Sequence, residues 1–288
     1  MSTYEPEVLF EVACDLGEGP SYNKLRDELS WVDITQGSVF RSTVGATPRR
    51  VDIGQHVGAA LPSEDGGFLL ARRDGFVRLS VDGQQDELAL PLAGRPSMRF
   101  NDAKTDPRGR AFAGTMAYDI GAEQAALYRL DGAHATEVVS DIGLANGLDW
   151  SPDGTSMYFI DSLRSILTRY DYDSELGVIG DPATLIDFAS GATMPDGMCV
   201  DESGALWVSL WDAGEVRRYT PAGELDGRVR LPVSRPTSCC FAGPSLVITT
   251  ARYALTEDEL AHQPHAGHVF ACDVGASGRP ATLWKGSK

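Results

Sequence analysis

An all-β fold, a six-bladed β-propeller with four-stranded antiparallel blades, is predicted by three observations. A strand, hairpin, strand pattern recurs six times; its copies are spaced 41 to 50 residues apart; and segments near both ends of the chain are able to close a ring. Three copies are clear: NDAKTDPRGRAFAGTM from Asn101, NGLDWSPDGTSMYFIDS from Asn146 and DGMCVDESGALWVSLW from Asp196. In each, alternating apolar residues flank a turn of the P-x-G or S-G kind, the signature of a hairpin between half-buried strands.

Three further copies share the phase: EGPSYNKLRDELSWVDI from Glu18, AALPSEDGGFLLARRDG from Ala59 and TSCCFAGPSLVITTAR from Thr237. After each copy comes another alternating segment that supplies outer strands: VFRSTV, FVRLSV, LYRLDG, LTRYDYD, VRRYTP and HVFACDV. HVFACDV belongs to the sixth blade, and Val8 to Val12 are expected to add a strand to it, so that the ring closes and hides its edges. One helical stretch, LTEDELAHQP from Leu255, has Thr256 as its N-cap and an acidic first turn. No linker composition divides the chain, which is expected to be one domain over 1–288.

A formal charge of −16 leaves no basic footprint for phosphate backbones or anionic lipid, so nucleic acid and membranes are not expected as partners. The N-terminus lacks a basic stretch followed by an apolar core, and no apolar run reaches membrane-spanning length, which predicts a cytoplasmic protein. Cys14, Cys199, Cys239, Cys240 and Cys272 are odd in number and form no C-x-x-C pair, so they read as buried small hydrophobes. No G-x-S-x-G elbow or glycine-rich phosphate loop is present. His262, His265 and His268 cluster around Pro264, out of phase with any ligand set.

In a propeller, residues at the same phase of each repeat meet around the central channel. That phase holds Glu18, Asn101, Asn146, Asp196 and Ser238, with Arg99 two residues before Asn101. Two carboxylates and two amides form an oxygen-rich set suited to Ca²⁺, Mg²⁺ or Mn²⁺, and carboxylates also accept zinc. They are expected at the mouth, facing solvent. Each position alone has a plainer reading: Glu18 as a turn carboxylate, Asn146 and Asp196 as turn residues before glycine, and Arg99 as the partner of Asp102 or another channel carboxylate. Their coincidence in phase favours a common site. Asp33, Asp161 and Trp211 end inner strands and read as structural or as supports of the site residues.

The motifs LGEGPSYN, RPSMRFNDAKTDPRGRAFAGTM, LANGLDWSPDGTSMYFIDS, MPDGMCVDESGALWVSLW and LPVSRPTSCCFAGPSLVITTAR together resemble the SMP-30, gluconolactonase and regucalcin family from Leu16 to Gly267. The resemblance implies a six-bladed propeller that hydrolyses aldonolactones with one divalent metal ion, Ca, Zn, Mn, Mg or Fe(II). It also implies Glu18, Asn146 and Asp196 as metal ligands, Asp196 as general base, and Arg99 and Asn101 as contacts to sugar hydroxyls. The loop after GTM departs from the pattern, with Ala125 and Ala126 where relatives carry an acidic residue and a glycine, and Glu123 stands as a candidate substrate contact. A small-molecule sugar lactone is the expected partner, on a monomer or weak homo-oligomer. A metal-dependent phosphotriesterase or esterase, and a non-catalytic metal-binding propeller, are the alternatives.

Overall fold

The computed structural model describes residues 2–122, 124–191 and 193–286. Among them, strands assemble into six sheets, each antiparallel within its hairpins. The first blade is typical: Gly17–Asn23 lies innermost, followed outward by Glu28–Asp33, Ser38–Ser42 and Arg49–Asp52. The other innermost strands are Val57–Pro62, Met98–Thr105, Ala145–Trp150, Met194–Val200 and Pro236–Ala242. These are the strands that open the six sequence repeats.

Ring closure uses the N-terminal segment as expected, though over Glu7–Phe10 rather than to Val12: this strand pairs antiparallel with Val269–Asp273 and completes the sixth blade. A second device was not legible in the repeat. Ser2–Tyr4 adds a parallel fifth strand to the outer edge of the fifth blade, on Leu225–Arg230. Both additions satisfy backbone groups of outer strands that would otherwise present open edges. The helix forms at Glu257–His262, with Thr256 and Glu259 in a reciprocal capping box.

The core lies between blades rather than within one. Each of six hydrophobic clusters joins neighbouring blades: Trp31 stacks on Phe10 between the sixth and first, Phe100 packs on Phe76 between the second and third, and Phe112 meets Trp150 between the third and fourth. All five cysteines are buried and unpaired, as their spacing predicts. Asp33 accepts hydrogen bonds from Asp15 N and Leu16 N, and Asp161 from Gly143 N and Leu144 N. These two carboxylates therefore fix the loops that enter the innermost strands, which is the structural role their position suggests. Among the described residues no helix is long and apolar enough to cross a membrane.

The final segment crosses the end of the channel opposite the entering loops. Arg279 Nη2 donates to Trp150 O at 2.6 Å, Ala281 N to Tyr22 O at 3.0 Å, and Trp284 N to Pro62 O at 2.8 Å, while Thr105 Oγ1 donates to Thr282 O. Gly278 bridges to Asp201. This strap ties the first five blades across the axis and buries Trp284 against the cluster between the second and third. Its contacts link strands that are remote in sequence, so deleting 279–288 should lower Tm by roughly 6–20 °C, the loss of one buried tryptophan's stabilisation of about 3–5 kcal/mol at about 2–4 °C per kcal/mol. Calorimetry on the truncated chain checks this; an unchanged Tm would show that the strap does not hold the ring.

Candidate functional site

Every innermost strand is irregular at one phase. Its register with the second strand shifts between Glu18 and Ser21, Val57 and Ala59, Phe100 and Ala103, Ala145 and Leu148, Pro195 and Met198, and Pro236 and Ser238. A bulge of this kind turns a side chain out of the pleat and adds local twist. Three of the six bulges begin at or immediately precede Glu18, Asn146 and Asp196, and a fourth encloses Asn101 and Asp102. The glycines that follow Asn146 and Asp196 serve close packing rather than turns. A Cβ on Gly147 would lie 2.7 Å from Met198 N, and one on Gly197 would lie 2.1 Å from Ser238 Oγ. Adjacent innermost strands thus touch through backbone, which holds the channel narrow.

Glu18, Arg99, Asn101, Asn146 and Asp196 converge, as phase predicts, but they do not face open solvent. Each is only 6–7% exposed, set below the rim. The reason is the bulge, which directs them toward the axis where the neighbouring innermost strands cover them. Ser238 does not join the set: it abuts Gly197, and the sixth blade's bulge places Thr237 at this level, where its hydroxyl donates to Gly17 O at 2.6 Å. Glu123 lies outside the described residues.

One hydrogen-bonded chain orders the amides. Arg99 Nη1 donates to Phe100 O at 3.0 Å and Asn101 Oδ1 at 2.6 Å; Asn101 Nδ2 donates to Asn146 Oδ1 and Ala145 O, both at 2.9 Å; Asn146 Nδ2 donates to Ser162 Oγ at 2.9 Å; and Ser162 Oγ donates to Pro195 O at 2.5 Å. Every amide orientation is therefore specified by its neighbours: the Asn146 oxygen accepts from Asn101, and its NH2 side faces Ser162 and Asp196. Arg99 makes no ion pair among the described residues, so it is not the structural partner of Asp102.

The electrostatics are unbalanced toward negative charge. Burial raises the Glu18 carboxyl well above its ordinary value, and Asp196 and Asp102 push it further, against Gly19 N–H and Arg99. Burial and Asp102 do the same to Asp196, opposed by Arg99, the Asn146 amide and Gly197 N–H. Asp102 itself is pushed up to about 6, mainly by burial, with Lys104 acting in the opposite direction. No histidine or cysteine reaches this level, and among the described residues no group of three or more His, Cys, Asp or Glu is placed to hold an ion. The donor set is instead two carboxylates and an amide oxygen. Excess negative charge and oxygen-only donors fit a hard divalent cation that keeps some positions for water or substrate.

Three contributors were missed by sequence phase. Asp102 is one, because strict alternation sends it away from the channel once Asn101 points in, and only the bulge brings in both. Ser162 is the second; its signal was its place directly after Asp161 at the end of a second strand. Lys104 is the third, donating to Asp149 Oδ2 and Met198 O, both at 3.0 Å. Asp102, Lys104, Asp149, Cys199 and Cys239 line a cavity of about 290 Å³ farther along the same strands, closed by Arg279 to Thr282 of the strap. The acidic level therefore separates an open mouth from a closed lower chamber.

Comparison with known proteins places this geometry. The SMP-30/Gluconolactonase/LRE-like region matches residues 16–252. Regucalcin of Danio rerio is 35% identical, covering 99% of this chain and all of that protein. A crystal structure of the calcium-binding protein regucalcin from Agrobacterium tumefaciens superposes with a TM-score of 0.93 at 27% identity, over 99% of this chain and 98% of that one. A luciferin-regenerating enzyme superposes with a TM-score of 0.89 at 27% identity, over 97% and 99% of the two chains. A family match spanning the acidic level, the amide chain and all six innermost strands makes this chain a member of the SMP-30/gluconolactonase/LRE-like family.

Proposed function

We propose that the chain hydrolyses a sugar lactone to its aldonic acid, using one divalent cation held by Glu18, Asn146 and Asp196. The observation that carries this reading is a buried pair of carboxylates with raised pKa values facing an unpaired guanidinium across a hydrogen-bonded pair of amides. A bound cation would supply Lewis acidity at the lactone carbonyl.

The chain's own groups do the rest. Asp196 is a base of increased strength because burial and Asp102 disfavour its charge, and it takes the proton of the water that attacks the carbonyl carbon. As the ring C–O bond breaks, Asp196 returns that proton to the departing ring oxygen, so one water is consumed and one hydroxy acid is formed. Arg99 Nε and Nη2 have no hydrogen-bond partner among the described residues and are free to hold sugar hydroxyls. Asn101, fixed by Arg99 and Asn146, adds a second oriented contact, which restricts the bound lactone to a reactive pose. A non-catalytic calcium-binding role is supported by the description of the Agrobacterium relative, and a metal-dependent esterase or phosphotriesterase would use the same groups. Acid release from a panel of aldonolactones by chelator-stripped protein, restored with Ca²⁺, Mg²⁺, Mn²⁺, Zn²⁺ or Fe²⁺ in turn, separates these readings. Hydrolysis of one lactone restored by one ion is expected; a folded protein inert on the whole panel would leave the binding role.

Three predictions follow from the charges and contacts. With Glu18 and Asp196 raised well above their usual values of 4.5 and 3.8, the metal-free fold binds more protons than the unfolded chain, so its stability falls as pH rises above those usual values. A cation competes with those protons. Saturating cation should therefore raise Tm by about 5–10 °C near pH 7.5 and much less near pH 5, checked by thermal melts with and without chelator. Asp196→Asn should lower kcat at least about a hundredfold. The same variant should raise the metal-free Tm near pH 7.5 by about 2–4 °C, because it removes a repelled buried charge; near-normal turnover would remove Asp196 from the proton path. Arg99→Ala should raise KM about tenfold or more with a smaller fall in kcat, as for a contact made equally in ground and transition states. Steady-state kinetics showing the reverse split would assign Arg99 to the transition state.

A further inference from the structure

The rim above the acidic level is also asymmetric in charge. On the side of the second and third blades, Arg73 N donates to His56 O at 2.8 Å and Phe100 N donates to Arg73 O at 3.1 Å, which sets Arg73 and His56 beside the strand that carries Arg99. His56 Nδ1 is hydrogen-bonded to the Tyr118 hydroxyl at 2.9 Å, and their rings meet edge to face. His56 and Tyr118 both feel the Arg99 and Arg73 guanidinia, so the four side chains form one group.

The positive charge of this group is not used up by the protein. Arg99 makes no ion pair among the described residues, and its hydrogen bonds come from Nη1 alone. Among the described residues Arg73 has one carboxylate partner, Asp74 at 3.7 Å, which is already engaged by Arg72 at 3.0 Å. Its Nε reaches the Gln55 amide oxygen at a long 3.4 Å. Arg73 is 28% exposed, so its guanidinium is open to a ligand. In a chain with a net charge of −16, the weakly matched Arg73 guanidinium at the mouth is a local exception to the prevailing field. Less than two free positive charges, presented as planar forks with a neutral imidazole and a phenol beside them, suit one carboxylate.

We propose that Arg73, with Arg99, His56 and Tyr118, binds a carboxylate on the substrate remote from the lactone carbonyl, so that the preferred substrate is the lactone of a sugar dicarboxylic acid. This rests on the lactonase reading for the reaction but not for the anion site. The acidic level holds the reacting carbonyl and Arg73 at the rim holds the far end of the molecule, which fixes its direction in the channel.

The test compares glucaro-1,4-lactone with glucono-1,4-lactone, which differ at the carbon bearing the extra carboxylate, on metal-restored protein. The expected kcat/KM ratio favours the carboxylated lactone by about tenfold or more, as one charge-assisted contact implies. Arg73→Gln should bring the ratio near one, and Arg73→Lys should restore part of it. A wild-type ratio of one or less, or a ratio that Arg73→Gln leaves unmoved, would overturn the proposal. So would a stronger preference for a 6-phosphorylated gluconolactone. If no lactone is hydrolysed, the lactonase reading fails and the anion site is decided by calorimetry with glucarate and gluconate. Glucarate binding about tenfold tighter, and weakened by Arg73→Gln, sustains the site; equal or absent binding ends it.

Discussion

Glu18 and Asp196 are buried together without a cation from the protein at ion-pair distance, and this constraint organises the rest of the structure. Two like-charged carboxylates out of water are costly, and neither Arg99 nor the surrounding amides and N–H groups offset the cost, as their raised pKa values record. Stability must come from elsewhere. It is supplied by six apolar clusters between blades, by the N-terminal strands on the fifth and sixth blades, and by a C-terminal strap across the channel. The ring has no core of its own at the axis, so the axis is free to be polar.

The backbone delivers that polarity through the repeated bulge. A regular innermost strand would alternate one residue toward the axis with one toward a neighbouring blade. The register shift at Phe100 to Ala103 instead brings both Asn101 and Asp102 into the channel, and the equivalent shifts free Asn146 and Asp196 from the ladder. Gly147 and Gly197 then let the next strand approach to backbone contact. The same local irregularity that weakens each hairpin is what makes a site from six unremarkable strands, a trade expected where function and strand pairing compete.

Much of this was legible in the sequence, because blades repeat at a fixed interval and phase converts directly into position around the axis. Glu18, Arg99, Asn101, Asn146 and Asp196 were found this way, and Asp33 and Asp161 were correctly read as structural. Depth was not legible: periodicity gives direction within a strand, and the burial of these residues depends on how closely neighbouring strands approach. Asp102 was hidden by alternation, and Ser162 by lying in the turn after a second strand. The strap from Gly278 to Lys285 has no period at all; its contacts are single hydrogen bonds to separate blades, with Trp284 its buried apolar anchor. Ser238 was misplaced by one residue because the sixth bulge begins at Pro236.

The channel is best understood as a field built from side chains. Glu18, Asp102 and Asp196, from the first, third and fifth blades, ring the axis with negative charge, while Arg73 and Arg99 add positive charge at the second and third, with the amides of Asn101 and Asn146 tying Arg99 to the ring. Donation runs in one direction, from Arg99 through Asn101 and Asn146 to Ser162, so the Asn146 amide is held in one orientation by a chain that starts at the guanidinium. A cation at the acidic level would complete this field rather than neutralise it, since Arg73 at the rim would remain weakly matched. A small polar molecule entering such a field is oriented before any specific contact forms, its electron-rich carbonyl drawn toward the cation site and any second anionic group drawn toward the rim arginines. Charge placement alone therefore selects both the end of the molecule that reacts and the end that is held.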